Sequence, residues 1–333
     1  MSPGSGAPLD REPPRLLTVG RMNLDLYAKE LGVRMADATS FRASIGGSPT
    51  NIAIVAQRLG LPSAVLSAVG ADFTGQLLRN QLAATGVRTD WVFTRAGATS
   101  LALLATVAAD QGERQFYRHD PADSHVEPSV VPQLPWGSLE AIAVSADAIA
   151  RGEMAETVRA VCAEADRLAI GVWWDLDLRP STWPDLSEYA RANRALVYGA
   201  SVLIGTEAEF AALFGLAADD ITGVEKTLGT APFPLVVLKR GAQGASLLVD
   251  GKEEISVPAH AVSPVCTVGG GDATAGSLIA ARLAGFGWGD SLRLAMRVAG
   301  WTVEQPFCST GFPALSDIGM SALDPGQLGE VVS

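Results

Sequence analysis

Basic clusters, paired cysteines and long apolar runs are all missing from this sequence, and each absence removes a class of function. The net charge is −11, with 25 basic against 36 acidic residues and no Lys/Arg run. Nucleic acid and anionic membrane are therefore poor partners, and any bound anion must be held by local groups. The three cysteines, Cys162, Cys266 and Cys308, are far apart and form no CxxC pair, so neither a disulfide framework nor a zinc site is expected. The cytoplasm fits best. Three histidines, His119, His125 and His260, share no metal-ligand spacing. No run of roughly 18 apolar residues supports a membrane span. Residues 1–14, rich in Pro and Gly with no apolar h-region, read as a flexible tail and not as a signal peptide. There is no G-x-x-x-x-G-K-[ST], and no G-x-G-x-x-G follows the first strand, which weighs against P-loop and dinucleotide-binding readings.

What is present is a large apolar fraction, 48%, with only 18% charged residues, enough for a sizeable core and too little polarity for wholesale disorder. Short β-rich runs at 16–20, 64–69, 141–145, 171–174, 202–204 and 235–238 alternate with helical patterns at 48–59, 74–85, 154–168, 206–214, 273–283 and 291–302. That alternation predicts an α/β fold, a doubly wound, mostly parallel sheet flanked by helices. Segments at about 23–45 and 97–120 lack helical periodicity and read as a small β-sheet lid on one domain spanning 15–325. Asp250-Gly251 between two apolar runs signals a hairpin with a type I′ turn.

Polar residues recur where strands end. If the first strand runs into Asn23 and Asp25, they stand at its C-terminal edge, where open α/β sheets bind ligands. Ser48 as N-cap with Pro49 at the first helical position starts a helix, and Asn51 falls in its first turn. Glu209 lies in the first turn after Thr206, where an acid can be a dipole partner or a contact to magnesium-bound water. Arg118 at the end of the lid is a substrate clamp or a surface arginine. Cys162 falls on the apolar face of its helix as packing.

Gly269, Gly270 and Gly271 strip the side chains from a turn that opens a helix, so backbone N–H groups and the helix dipole can receive an anion. Asp272 beside such a cradle suits a general base that takes a proton from a substrate hydroxyl. The same residues also fit a Gly-rich turn with an Asp cap.

With both stretches assembled, Gly46-Gly47-Ser48-Pro49-Thr50-Asn51-Ile52-Ala53 and Gly269-Gly270-Gly271-Asp272-Ala273, the chain resembles the ribokinase-like sugar kinases, the PfkB family. The resemblance spans about 16–313. Within the family it is to the kinases of keto-deoxy sugar acids, through Gly20-Arg21, Asp25-Leu26-Tyr27, Tyr117-Arg118, Asp175-Leu176-Asp177-Leu178-Arg179-Pro180 and Lys239-Arg240-Gly241. It implies a ribokinase-like fold and a kinase that uses ATP and Mg2+ on a primary hydroxyl. It favours a 5-keto-2-deoxy hexonate, with a 2-keto-3-deoxy hexonate as the alternative. It implies Asp272 as base, and Gly269, Gly270 and Gly271 as the anion hole. It sets Asp25, Gly47, Asn51, Arg118 and Arg179 around the sugar, Lys239, Gly241 and Gly244 at the nucleotide, and Glu209 near magnesium. A homodimer through an exposed lid edge is a further expectation. A non-catalytic sugar- or nucleotide-binding relative is the alternative class, and the intact Asp272 argues against it. Gly270 replaces the family's usual Ala, Thr206 its usual Asn, and Cys266 an Asp tied to monovalent-cation activation.

Overall fold

The computed structural model describes residues 12–109 and 111–327. Most of the expected tail, residues 1–11, and Asp110 of the expected lid segment at 97–120 lie outside the described residues.

Among the described residues, nine strands form the main sheet and four form a second, smaller one. In chain order the strands are β1 (Leu16–Val19), β2 (Asn23–Ala28), β3 (Phe41–Gly46), β4 (Ser63–Val69), β5 (Val92–Thr94), β6 (Ser100–Ala108), β7 (Gln111–Tyr117), β8 (Ala141–Ser145), β9 (Gly171–Asp175), β10 (Val202–Thr206), β11 (Leu235–Lys239), β12 (Ala245–Val249) and β13 (Lys252–Val257). The main sheet has the order β13-β12-β11-β10-β9-β8-β1-β4-β5, parallel except where β12 pairs antiparallel with β11 and β13. The small sheet has the order β3-β2-β6-β7. Asp250 and Gly251, at φ +47° and +76°, turn the β12–β13 hairpin as a type I′ pair.

Helices cover both faces of the main sheet: α1 (Ser48–Arg58), α2 (Phe73–Ala84), α3 (Met154–Arg167), α4 (Leu186–Val197), α5 (Glu207–Phe214), α6 (Ile221–Leu228), α7 (Gly270–Leu283), α8 (Trp288–Val303) and the single-turn α9 (Cys308–Gly311). Successive residues of one strand feed opposite layers, as the pleat requires. Leu16 and Val65 pack with Ile52 and Leu278 on one side, while Leu17 and Leu66 pack with Val144 and Val158 on the other. This two-sided cover explains why the central strands read as unbroken apolar runs. Among the described residues no helix is long and apolar enough to cross a membrane.

Two expectations shift. The first strand does not run on to Asn23 and Asp25. It ends at Val19, and Gly20, at φ +144°, turns the chain tightly against Pro49 into the small sheet, where β2 begins at Asn23. The helix at 48 is capped not by Ser48 but by Gly47, whose φ of +103° is left to glycine. A Cβ there would lie 2.4 Å from the Arg21 carbonyl oxygen.

The chain turns back on itself beside β1, with β4 and β5 on one side of it and β8 to β13 on the other. Such a switch point opens a crevice at the C-terminal ends of the strands. Arg21 follows β1, Asp147 follows β8, Asp175 ends β9, Thr206 ends β10 and Lys239 ends β11.

Candidate active site

One cleft of about 630 Å³ runs along that edge, with the small sheet as its other wall. Asp25, Gly47, Asn51, Arg179, Glu209, Lys239, Gly241, Gly244, Gly269, Gly270, Gly271 and Asp272 all line it. Arg118 does not. It lines a separate depression with His119 and Arg151. All three of its guanidinium nitrogens are engaged, with Asp123 at 2.8 Å, Asp147 at 2.6 Å and Ser100 Oγ at 3.1 Å.

Asp272 sits in the first turn of α7, whose N-cap is Gly269 at φ +89°. A Cβ at Gly269 would fall 2.2 Å from Cys308 Sγ, so this position admits no side chain. Gly270 stands where a Cβ would meet Val303 at 3.0 Å, so the Val303 methyl crowds the space the family's usual Ala would use. Gly271 faces the open cleft; the nearest atom to a Cβ there is Lys239 Nζ at 3.5 Å.

Helices α1 and α7 meet at Gly276, where a Cβ would be 2.8 Å from the Ile52 carbonyl oxygen. That close crossing brings the two helix starts together. Ser48 Oγ donates to Asp272 Oδ1 at 2.8 Å, and Asn51 Nδ2 donates to Asp272 Oδ2 at 2.7 Å. Burial and the nearby Asp177 carboxylate raise the Asp272 pKa above the usual carboxylate range, while Asn51, Arg179 and Ser48 oppose that rise. The residue expected to cap a helix and the residue expected to meet the sugar both hold Asp272. Asn51 Nδ2 also lies 3.4 Å from Cys308 Sγ.

On the small sheet, Asp25 accepts from Asn23 Nδ2 at 2.5 Å and from the Tyr27 hydroxyl at 3.3 Å. Burial pushes its pKa up to about 7, against the pull of Arg21 and these two donors. Across the cleft, Arg179 pairs with Asp177 at 2.5 Å, and Arg21 bridges Asp147 at 2.5 Å and Asp177 at 3.4 Å. Asp147 is held well below the usual range: burial opposes ionisation, but the Arg21 and Arg118 guanidiniums outweigh it. Asp177 itself takes φ +24°, an angle open to Asp more readily than to most side chains, and accepts from Ser145 Oγ at 2.8 Å.

At the far end, Lys239 Nζ lies 3.1 Å from Asp175 and 3.9 Å from Glu209. Burial works against its charge, yet these carboxylates keep it an ammonium, while burial raises Asp175. Glu209 closes a capping box with Thr206: Oε2 accepts the Thr206 N–H at 2.7 Å and Oε1 the Leu178 N–H at 3.1 Å. Thr206 Oγ1 in turn accepts the Glu209 N–H, so Thr serves as a cap where the family usually has Asn. Among the described residues no three His, Cys, Asp or Glu side chains stand together as a metal cage. Gly244, at φ +98°, is glycine for packing, since a Cβ would lie 2.0 Å from the Val257 carbonyl oxygen; Gly241, at φ +55°, faces open space. Cys162 is half-buried, with its thiol pushed up to about 12 by burial, and plays no part in the cleft.

The Arg21–Asp147–Asp177 network, the Ser48 bond to Asp272 and the Cys308 contact with Asn51 carry no motif in the sequence. Arg21 carried the available signal, as a charged residue directly after the first strand's glycine.

A carboxylate held beside a glycine-lined helix start, with a lysine across from it, is equipment for phosphoryl transfer. The chain belongs to the PfkB family of carbohydrate kinases, whose family model matches residues 14–315. It is similar to 5-dehydro-2-deoxygluconokinase of Listeria monocytogenes serotype 4b (strain CLIP80459), 26% identical over 305 residues that cover 91% of this chain and 94% of that one. The enzyme of the same name from Geobacillus thermodenitrificans (strain NG80-2) is 28% identical over 317 residues, covering 93% and 94%. Fructokinase from Vibrio cholerae O395, solved with fructose, ADP and calcium ion bound, superposes with a TM-score of 0.80 at 22% identity, covering 96% of this chain and 99% of that one. A sugar kinase from Pyrococcus horikoshii in complex with ATP gives 0.78 at 20% identity, covering 96% and 100%. These likenesses make the fold ribokinase-like and the chain an ATP-dependent carbohydrate kinase.

Proposed function

We propose that this kinase transfers the γ-phosphate of ATP to the primary hydroxyl of 5-dehydro-2-deoxy-D-gluconate. The observation that carries the reading is Asp272, held by Ser48 and Asn51 in the first turn of α7. The names of the curated relatives support the sugar acid. Asp272 accepts the hydroxyl proton as the oxygen attacks the γ-phosphorus in line. Its raised pKa keeps proton affinity in a carboxylate that must act as a base. The N–H groups at Gly269, Gly270 and Gly271 receive charge on the transferring group.

Asp25, Gly47, Asn51 and Arg179 border the sugar in this reading. Lys239, Gly241 and Gly244 border the nucleotide. Glu209 fits a magnesium ion carried mainly by phosphate oxygens and water, because both of its own oxygens already accept backbone N–H groups and no protein cage stands there among the described residues. Bound magnesium would neutralise charge on the phosphates. The small sheet acts as the lid that excludes water. Its exposed edge at β7 is where a second copy would pair. A cytoplasmic setting, with ATP at hand and the cysteines reduced, accords with the three free thiols.

The test is ATP consumption over a panel of sugar acids, ketohexoses and ribose. The 5-keto-2-deoxy hexonate is expected to give the highest kcat/KM. Asp272→Asn, which keeps size and removes basicity, is expected to lower kcat about 10²–10⁴-fold with ATP binding retained. A wild-type preference for fructose or ribose over every acid would sink the substrate assignment. Near-normal kcat in Asp272→Asn would remove Asp272 as base.

A further inference from the structure

We infer that Arg114 of β7 binds the substrate carboxylate and sets the enzyme's preference for an acid. The inference rests on the sugar-acid reading above and names the residue that would enforce it.

The cleft is crowded with acidic side chains. Asp25, Asp175, Asp177, Glu209 and Asp272 line it, and a carboxylate substrate must be held among them. Of the cations there, Arg21 is taken by Asp147 and Asp177, Arg179 by Asp177, and Lys239 by Asp175. Each of those guanidinium or ammonium charges is already balanced at close range. Arg118, beyond the cleft, is balanced by Asp123 and Asp147. Among the described residues that line the cleft, Arg114 is the one Lys or Arg whose side chain makes no hydrogen bond or ion pair.

Its position is set by the sheet. Arg114 stands opposite Leu104, which stands opposite Tyr27, and the neighbouring row on the same face is Phe116, Ala102 and Asp25. Asp25, Leu104, Phe116 and Arg114 all line the cleft. From these two rows the cleft thus receives one acid, Asp25, one cation, Arg114, and the apolar side chains of Leu104 and Phe116. An arginine on that inward face has no partner to satisfy and is exposed, so it fills no core. Its planar fork suits a carboxylate, which it can grip with two hydrogen bonds. Phosphate is provided for elsewhere: the glycine-lined helix start and Lys239 lie together, with Lys239 Nζ 3.5 Å from the Cβ position of Gly271.

The test compares wild type, Arg114→Met and Arg114→Lys by steady-state kinetics, with calorimetric binding of the hexonate and of ATP and melting curves to check folding. In Arg114→Met, KM and Kd for the hexonate are expected to rise about 10–100-fold, the scale of a lost charge-assisted hydrogen bond, while kcat changes far less. ATP affinity should stay within about twofold, KM for a neutral ketohexose should change much less than for the acid, and Arg114→Lys should recover part of the loss. An unchanged hexonate KM would overturn the inference. So would a loss that falls on ATP affinity or on kcat for acid and neutral sugar alike, since that pattern assigns Arg114 to phosphate. Failure of the sugar-acid reading itself is seen separately, as wild-type enzyme that turns over no acid, and it takes this inference with it.

Discussion

Ser48→Ala tests the claim that the first glycine motif serves the base. Ser48 Oγ donates to Asp272 Oδ1 at 2.8 Å, and that bond favours the carboxylate over the acid. Burial and Asp177 already push the Asp272 pKa up, so removing a donor pushes it further in the same direction. A hydrogen bond to a charged group contributes roughly 1.5–3 kcal/mol. Asp272 opens partly to the cleft, so the lower end, about 1.5 kcal/mol, is appropriate, equivalent to a factor of roughly ten in an equilibrium. The sign follows: the base is protonated over a wider range, so activity is lost on the acid side and recovered at alkaline pH. At a pH on the acid limb, kcat/KM for the sugar should fall about tenfold relative to wild type, and on the alkaline plateau the two enzymes should agree within about threefold. The assay is a pH profile of kcat/KM with saturating ATP. A loss of equal size at every pH would mean that Ser48 positions the carboxylate or the sugar without tuning its proton affinity. No loss at all would refute the assignment of Ser48 to the base.

Gly271→Val places a side chain in the open cleft beside Lys239, at a helical position where valine meets no backbone bar. Catalysis is expected to fall about 10²-fold or more with the melting temperature unchanged or raised, because valine is the better helix former; a melting temperature that collapses while the folded fraction keeps full specific activity would make the stretch a structural turn. Asp25, with its pKa pushed up to about 7, should accept sugar hydroxyls best when ionised, so the sugar KM is expected to fall as pH rises through about 7, and Asp25→Asn should flatten that dependence. The stability sign is opposite. A carboxyl whose pKa is raised by folding contributes stability that is full below its ordinary value and lost as pH rises through about 7, so Asp25→Asn should remove that slope from the melting temperature, and an unaltered slope would assign it to another group.

Much of the fold was legible because its cause is local. A strand covered on both faces must be apolar throughout, which is why β1, β4, β8 and β9 stood out as unbroken runs. The hairpin turn was written in Asp250 and Gly251 by their φ requirements. Where the sequence misled, a neighbour in space had changed a residue's task. Ser48 before Pro49 has the composition of a cap, but Gly47 supplies the non-helical angle and frees the hydroxyl for Asp272, 224 residues away. Arg118 follows the strand that reaches the site, yet Asp123 and Asp147 hold it outside the cleft. Arg114, four residues earlier and inside that strand, carries no signal in the sequence, because only the pairing with Leu104 tells which face it takes. Sequence alone carries the type of a side chain and its strand or helix, and whether its charge is free depends on contacts the spacing does not encode.

The distribution of charge in the cleft follows from how the fold delivers its strands. Parallel strands end on one edge, so any polar residue that follows them lands near the others. Here that edge gathers Asp175 and Asp177 near Asp272, and burial together with the Asp177 charge raises the Asp272 pKa. Arg21 and Arg179 answer the Asp177 carboxylate, and Lys239 answers Asp175. Their own guanidinium and ammonium groups are thereby committed to setting the field around Asp272. Two further donors, Ser48 and Asn51, reach that carboxylate only because Gly276 lets α1 and α7 touch backbone to side chain. On the proposed reading, a substrate anion therefore cannot draw on the sheet edge for its counter-charge without altering the field around Asp272. It must find one on the opposite wall, and on the small sheet that wall presents Arg114.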